Sequence, residues 1–172
     1  SAGDFPVDEC YTYGKIDSRL QSHPDCRKPP GIEISGGSLG QGLSVAVGMA
    51  LASRHFKKWN SVVFCMLGDG ECDAGQIWEA AMTAAHYKLD NLCAMVDNNG
   101  LQIDGPVAKV MGVEPITDKF RAFGWEVLDI DGHDMAQITA ALDKAETIKG
   151  KPCMIVCRTV KGKGSSQFEG KV

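Results

Sequence analysis

Two short apolar runs, each followed at once by glycine and polar residues, constrain the fold of this chain more than any other feature. Residues 62–67 lead into the sequence GDG at 68–70, and residues 92–96 lead into DNNG at 97–100. Both runs are typical of buried strands, and the segment between them has the length and composition of a crossover helix. A crossover of this kind makes the strands parallel, so their carboxyl ends lie at the same edge of the sheet, where open α/β sheets bind ligands.

The polar groups at this edge suit a divalent metal ion that holds a diphosphate. Asp69 offers a charged oxygen and Asn99 a neutral one, and Mg²⁺ often takes one or two oxygen ligands from protein while phosphates supply others. Gly68 and Gly70 lack the Cβ atoms that would keep phosphate away from backbone N–H groups. A helix beginning near Gly75 would add the positive end of its dipole. Asp-Gly and Asn-Gly also occur as plain turns, but their occurrence at both strand ends favours a ligand site.

The rest of the chain alternates between helix-like and strand-like segments. Helices are predicted over residues 39–54, 76–88, 117–123 and 134–148, and strands over residues 32–34, 62–67, 92–96, 125–130 and 153–156. The helix at 39–54 is apolar almost all round, so we expect it to be buried. Residues 1–30 are polar and predict an extended lead-in with at most a short helix near 8–13. The alternation predicts one α/β domain over residues 1–172, with a doubly wound, mostly parallel sheet and helices on both faces.

Composition excludes several classes of function. The net charge of −4 argues against nucleic acid as a partner, and no stretch reaches the roughly 18 apolar residues of a membrane span. No signal peptide is visible in the sequence. The seven cysteines include no C-x-x-C pair, and those in apolar runs are expected to pack as small hydrophobic residues. Cys72, just past the GDG, is expected to pack as well. These features predict a reduced, cytoplasmic protein.

The GDG at 68–70, followed just under thirty residues later by the NN at 98–99, is similar to the thiamine diphosphate signature. The flanking sequences GQIWEAAMTAAHYKLDNL and NNGLQIDG resemble transketolase, as do SHP at 22–24 and GIEISGGSLGQG at 31–42. The similarity runs from about Phe5 to Gly164. It is closest to the N-terminal half or subunit of transketolase, which carries the thiamine diphosphate-binding fold. The implied reaction of the complete enzyme moves a two-carbon ketol unit from a ketose phosphate to an aldose phosphate.

The resemblance also implies roles for individual residues. A metal ion, Mg²⁺ or Ca²⁺, would be held by Asp69, Asn99 and the backbone carbonyl of Leu101. His23 aligns with a family histidine that reaches substrate, and it is the one catalytic residue implied. The residues expected to line thiamine diphosphate are Gly37, Ser38, Leu39, Gly68, Asp69, Gly70, Asn99 and Leu101.

Departures from the family pattern limit the expected activity. Ala74 stands where the family usually has a glutamate that contributes to a contact across the subunit interface. The family's upstream histidine motif and its pyrimidine-binding domain are both absent, so the chain resembles a piece truncated at both ends. We therefore expect no activity from this chain alone, a partner in the form of a C-terminal transketolase half or subunit, and self-association. The alanine-rich face of the helix at 76–88 is a candidate for that interface, or else packs on its own sheet.

Three other functions remain open from the sequence. The glycine-rich turn at 36–42 could begin a dinucleotide-binding unit, but its glycine order is not G-x-G-x-x-G and Asn99 would have no role. A 1-deoxyxylulose-phosphate-synthase-like enzyme also carries alanine before the glycine at position 75, although NNGLQIDG argues against it. The third alternative is a non-catalytic partner protein that binds the cofactor.

Overall fold

The computed structural model describes residues 3–56, 61–103 and 105–171. The chain divides into two compact units between Leu39 and Gly40. The first unit has one short 3₁₀ helix, Val7–Thr12, in agreement with the predicted short helix near 8–13. The strand predicted at 32–34 is wrong, because these residues pair with no strand. Gly31 before this run has a φ of +80° and Gly37 after it has a φ of +128°, so the extended backbone is interrupted on both sides.

A four-stranded parallel sheet forms the centre of the second unit. Its strands are β1 (Val63–Gly68), β2 (Leu92–Asn98), β5 (Glu126–Asp131) and β6 (Cys153–Arg158), arranged in the order β1-β2-β6-β5. Two further strands of two residues each, β3 (Leu101–Gln102) and β4 (Gly105–Pro106), pair antiparallel in a separate sheet. Gly68 lies opposite Asp97 in the register of β1 and β2. The predicted parallel pair is therefore confirmed, and both strands end at the same edge.

Helices cover both faces of this sheet, as predicted. They are α1 (Gly42–His55), α2 (Gly75–His86), α3 (Val107–Val110), α4 (Ile116–Ala122) and α5 (Met135–Thr147). One buried cluster joins α1, α2 and α4 to the sheet, and a second cluster packs α5 against the opposite face. Asp134 caps α5, since its Oδ1 accepts hydrogen bonds from the N–H groups of Ala136 at 2.9 Å and Gln137 at 3.2 Å.

The expectation that the first helix is buried is confirmed for one side of the helix only. Val45 is 40% exposed and Met49 39% exposed on α1. The helix packs against the sheet and α2 on one side. Its other side carries apolar residues too, but they are exposed because no described element packs closely against them. None of the described helices is long and apolar enough to cross a lipid bilayer.

The alanine-rich face of α2 packs within its own unit. Ala80, Ala81 and Ala84 are buried in the core cluster, and Trp125 Nε1 donates a 2.9 Å hydrogen bond to the carbonyl of Ala81. The small side chains allow this close approach. Of the two roles considered for this face, the structure supports packing on the chain's own sheet.

The cysteines are free thiols, and those in the strands pack as predicted. Cys65, Cys93 and Cys153 are buried and Cys157 is half-buried, whereas Cys10 and Cys26 are exposed in the first unit.

Candidate functional site

The ends of β1 and β2 bring Asp69 and Asn99 into adjoining segments. Asp69 follows β1 directly, and its backbone N–H donates to the carbonyl of Asp97 at 3.2 Å. Gly100, the residue after Asn99, donates its N–H to Asp69 Oδ2 at 2.6 Å. The carboxylate of the first segment thus anchors the turn that carries the carboxamide of the second.

Asp69 is a buried carboxylate that is held by backbone N–H groups. Only 2% of the residue is exposed, and its Oδ1 accepts a 2.8 Å hydrogen bond from Gly70 at the start of a 3₁₀ helix, Gly70–Asp73. Burial raises the pKa of Asp69, because desolvation outweighs the N–H groups of Gly100 and Gly70 that favour the charged form. None of the ion pairs formed among the described residues involves this carboxylate. A bound cation would therefore supply the counter-charge that the site lacks.

Asn99 and Leu101 form the second half of the site. Asn99 Oδ1 accepts a hydrogen bond from the N–H of Leu101 at 2.9 Å, and Asn99 Nδ2 donates to Asp97 Oδ2 at 3.0 Å. Leu101 is the first residue of β3. The carboxamide is thus fixed at both of its ends while its oxygen retains a second lone pair for another partner.

Glu71 ties the glycine segments of the second unit together. Its Oε2 accepts from the N–H of Gly68 at 3.0 Å, and its Oε1 accepts from the N–H of Gly40 at 2.8 Å. Gly70 is required for a local steric reason, because a Cβ there would lie 2.7 Å from the Cβ of Gln102. The access of phosphate to the backbone at Gly68 and Gly70 stays a prediction. Their packing and hydrogen bonds give them structural roles as well.

The helix expected to begin near Gly75 does so, with Ala74 at its N-cap. Its start is separated from Asp69 by the 3₁₀ helix at Gly70–Asp73. Ala74 lies close to Gly40, since a Cβ on that glycine would be 2.7 Å from the Cβ of Ala74.

The donor set at this edge fits a hard cation that is shared with a phosphate ligand. Among the described residues, no group of three or more His, Cys, Asp or Glu side chains could hold a metal ion by itself. A cation here would use one carboxylate, the carboxamide of Asn99 and the carbonyl of Leu101, and would need further oxygen ligands from outside the protein. Mg²⁺ characteristically binds in this way, through one or two carboxylates plus phosphate oxygens and water.

The remaining predicted site residues lie in the first unit. His23 and Gly37 are in contact there: Gly37 has a φ of +128°, and a Cβ on it would lie 2.6 Å from Cγ of the His23 ring. Leu39 is 69% exposed, and Ser38 lies next to it in the same turn. The structure therefore brings His23 to the glycine-rich turn that carries Gly37, Ser38 and Leu39. This group belongs to the first unit, whereas Asp69 and Asn99 belong to the second.

Cys72 packs rather than reacts, as expected. It is fully buried, its Sγ donates to the carbonyl of Gly68 at 3.4 Å, and burial raises the pKa of its thiol to about 12. Sequence reasoning missed Glu71 and Asp97, although both lie inside the motifs that it singled out. Their acidic character was the available signal, but their partners are set by the tertiary fold.

The chain is similar to transketolases in sequence and in structure. The family described as transketolase, thiamine diphosphate binding domain, matches residues 2–172. The 6-deoxy-6-sulfo-D-fructose transketolase subunit of Clostridium sp. strain MSTE9 is 48% identical and covers 99% of this chain. A subunit of the apulose-4-phosphate transketolase of Phocaeicola vulgatus is 43% identical over 92% of the chain.

A solved structure has the same fold. The crystal structure of transketolase from Campylobacter jejuni superposes with a TM-score of 0.91 at 34% identity, over 97% of this chain. The chain spans 62% of the Clostridium subunit and 56% of the Phocaeicola subunit. It spans 27% of the Campylobacter chain.

Proposed function

Because the chain belongs to the thiamine diphosphate-binding domain family of transketolases, we propose that it is the diphosphate- and metal-binding part of such an enzyme. The complete enzyme transfers a two-carbon ketol unit from a ketose phosphate to an aldose phosphate. The observation that supports this most strongly is the junction of the two strand ends, where Gly100 N–H donates to the buried carboxylate of Asp69 at 2.6 Å. It puts a carboxylate and a carboxamide at the edge where open α/β sheets bind ligands.

The proposed metal ligands are Asp69, Asn99 and the carbonyl of Leu101, with Mg²⁺ or Ca²⁺ as the ion. Thiamine diphosphate, when bound, supplies the carbon nucleophile that carries the two-carbon unit. The protein groups would bind and orient: the metal ligands would hold the diphosphate through the cation, and the backbone near Gly68 and Gly70 would approach the phosphate oxygens.

The first unit carries the proposed contacts to the thiamine ring and the substrate. Gly37, Ser38 and Leu39 would line the ring, and His23, whose ring packs against Gly37, would contact the sugar. Replacement of His23 by alanine should then raise KM or lower kcat and leave cofactor affinity unchanged. An unchanged kcat/KM would return His23 to the role of an ordinary loop residue.

Activity is proposed to require a second polypeptide segment. Two relatives of this chain are named as transketolase subunits. Their names support a partner that is a C-terminal transketolase half or subunit, and we propose that the chain self-associates as well. The free cysteines support a reducing compartment, for which we propose the cytoplasm.

A coupled ketol-transfer assay tests the proposal. The chain is assayed alone and with a protein that carries the pyrimidine-binding domain, in each case with thiamine diphosphate, Mg²⁺, xylulose 5-phosphate and ribose 5-phosphate. We expect turnover only in the combined sample, and its loss in the Asp69→Ala variant. If the combined sample binds the cofactor but transfers no ketol unit from any ketose phosphate to any aldose phosphate, the chain is better explained as a non-catalytic subunit. Turnover by the chain alone would refute the requirement for a partner.

A further inference from the structure

Asp97 determines which way the carboxamide of Asn99 faces. Asn99 Nδ2 donates to Asp97 Oδ2 at 3.0 Å, and Asn99 Oδ1 accepts from the N–H of Leu101 at 2.9 Å. A carboxylate only accepts and a backbone N–H only donates. Rotation of the carboxamide by half a turn would therefore place oxygen against the carboxylate and nitrogen against the N–H group of Leu101. Both hydrogen bonds would be lost, and like partial charges would face each other.

Asp97 is itself held from a different strand. Thr159, the residue after β6, donates its hydroxyl to Asp97 Oδ1, and its backbone N–H donates to the carbonyl of Asn98 at 3.2 Å. Strands β2 and β6 pair in parallel with Asp97 opposite Cys157, so the two segments leave the sheet side by side. Gly132 leaves the space that the Thr159 side chain needs, because a Cβ at Gly132 would meet Thr159 Cγ2 before any other atom.

We infer that Asp97 is a positioning residue for the metal site and that Thr159 holds its carboxylate in place. Together they present the oxygen of Asn99, and never its nitrogen, to the cation. The inference rests on the proposed function, since the orientation of the carboxamide matters only if Asn99 is a ligand. Hard cations such as Mg²⁺ bind oxygen ligands. Removal of a group that hydrogen-bonds to a metal ligand and orients it commonly weakens metal binding by about 10- to 100-fold.

The first test needs neither metal nor cofactor. Hydrogen exchange of the Asn99 side-chain amide is measured by NMR, with the resonance assigned by its loss in Asn99→Ala. We expect slow exchange in the wild type and exchange at least about tenfold faster in Asp97→Ala, because a hydrogen bond to a charged acceptor is removed. Thr159→Val should also accelerate exchange. Thr159→Ser keeps the hydroxyl, so its exchange should be as slow as that of the wild type. Equal exchange rates in the wild type, Asp97→Ala and Thr159→Val would overturn the inference whatever the protein binds.

The second test measures metal affinity by calorimetry on the assembly reconstituted with its partner domain, with Mg²⁺ titrated at saturating thiamine diphosphate. We expect a loss of about 10- to 100-fold for Asp97→Ala, a smaller loss for Thr159→Val and none for Thr159→Ser. Asp129→Ala is the matched control, because it removes a carboxylate of the same sheet, on β5, that pairs with Arg158 instead. If the wild type binds the cofactor only with Mg²⁺ and the Asp97 and Thr159 variants bind Mg²⁺ with the wild-type affinity, the inference is overturned and the proposed function remains intact. A wild type that binds the cofactor equally well in excess chelator would refute the proposed function itself.

Discussion

The Glu71 carboxylate should contribute measurably to the stability of the second unit. It accepts hydrogen bonds from two backbone N–H groups, those of Gly40 at 2.8 Å and Gly68 at 3.0 Å. A hydrogen bond to a charged group contributes roughly 1.5–3 kcal/mol, and Glu71 is half-buried, so the lower end applies. Glu71→Ala should therefore lower the free energy of unfolding by about 3 kcal/mol. Glu71→Gln keeps one acceptor oxygen and should lose about half as much.

Urea denaturation and thermal unfolding of the protein provide the assay. For a unit of this size a loss of about 3 kcal/mol corresponds to a fall in Tm of roughly 6–12 °C. Glu146→Ala on α5 is the matched control, because that side chain is exposed, and it should change the free energy of unfolding by less than about 0.5 kcal/mol. If Glu71→Ala unfolds within about 0.5 kcal/mol of the wild type, the two hydrogen bonds do not contribute as argued.

Three further changes probe the core, the helices and the pH dependence of stability. Phe120→Ala empties a fully buried position whose ring lies 5.3 Å from those of Trp78 and Trp125, and urea denaturation should show a loss of about 3–5 kcal/mol; a loss below about 1 kcal/mol would contradict this packing. Gly48→Ala adds a methyl group on α1 where no atom lies within 4 Å, so it should raise stability by about 0.5–1 kcal/mol, and a fall in Tm would contradict that. The Gln137 side chain and the N–H groups of Gln137 and Ala136 lower the pKa of Asp134. Its contribution is therefore present above the unfolded pKa of about 3.9 and is lost as the pH falls further, so the Tm difference between the wild type and Asp134→Ala should shrink from pH 6 to pH 3; a constant difference would refute the linkage.

The main strands and helices could be predicted because each carries its own local signal. The runs at 62–67 and 92–96 are continuous and apolar, and each is followed by a short segment that contains glycine and polar residues. This pattern predicts buried parallel strands, and the structure has them at Val63–Gly68 and Leu92–Asn98. Short elements carry no such signal. The two-residue strands β3 and β4 and the four-residue helix α3 are too short for hydrophobic periodicity to appear, so they could not be predicted.

Burial and long-range contacts were harder to predict than the elements themselves. The apolar surface of α1 predicted burial, yet Val45 and Met49 are exposed, because composition does not say how many neighbours a helix has. The hydrogen bonds from Gly40 to Glu71 and from Thr159 to Asp97 join residues far apart in sequence. No local pattern encodes such pairs, since they depend on which strands become neighbours in the folded sheet.

The central proposal is that protein oxygens at the edge formed by β1 and β2 bind a divalent cation. The most direct measurement is a crystal structure of the protein grown with thiamine diphosphate and Ca²⁺, with an anomalous difference map to locate the ion. We expect one strong peak at roughly 2.3–2.6 Å from oxygens of Asp69, Asn99 and Leu101, with diphosphate oxygens completing the coordination. A cofactor bound with its cation elsewhere, or a peak that these three residues do not approach, would contradict it.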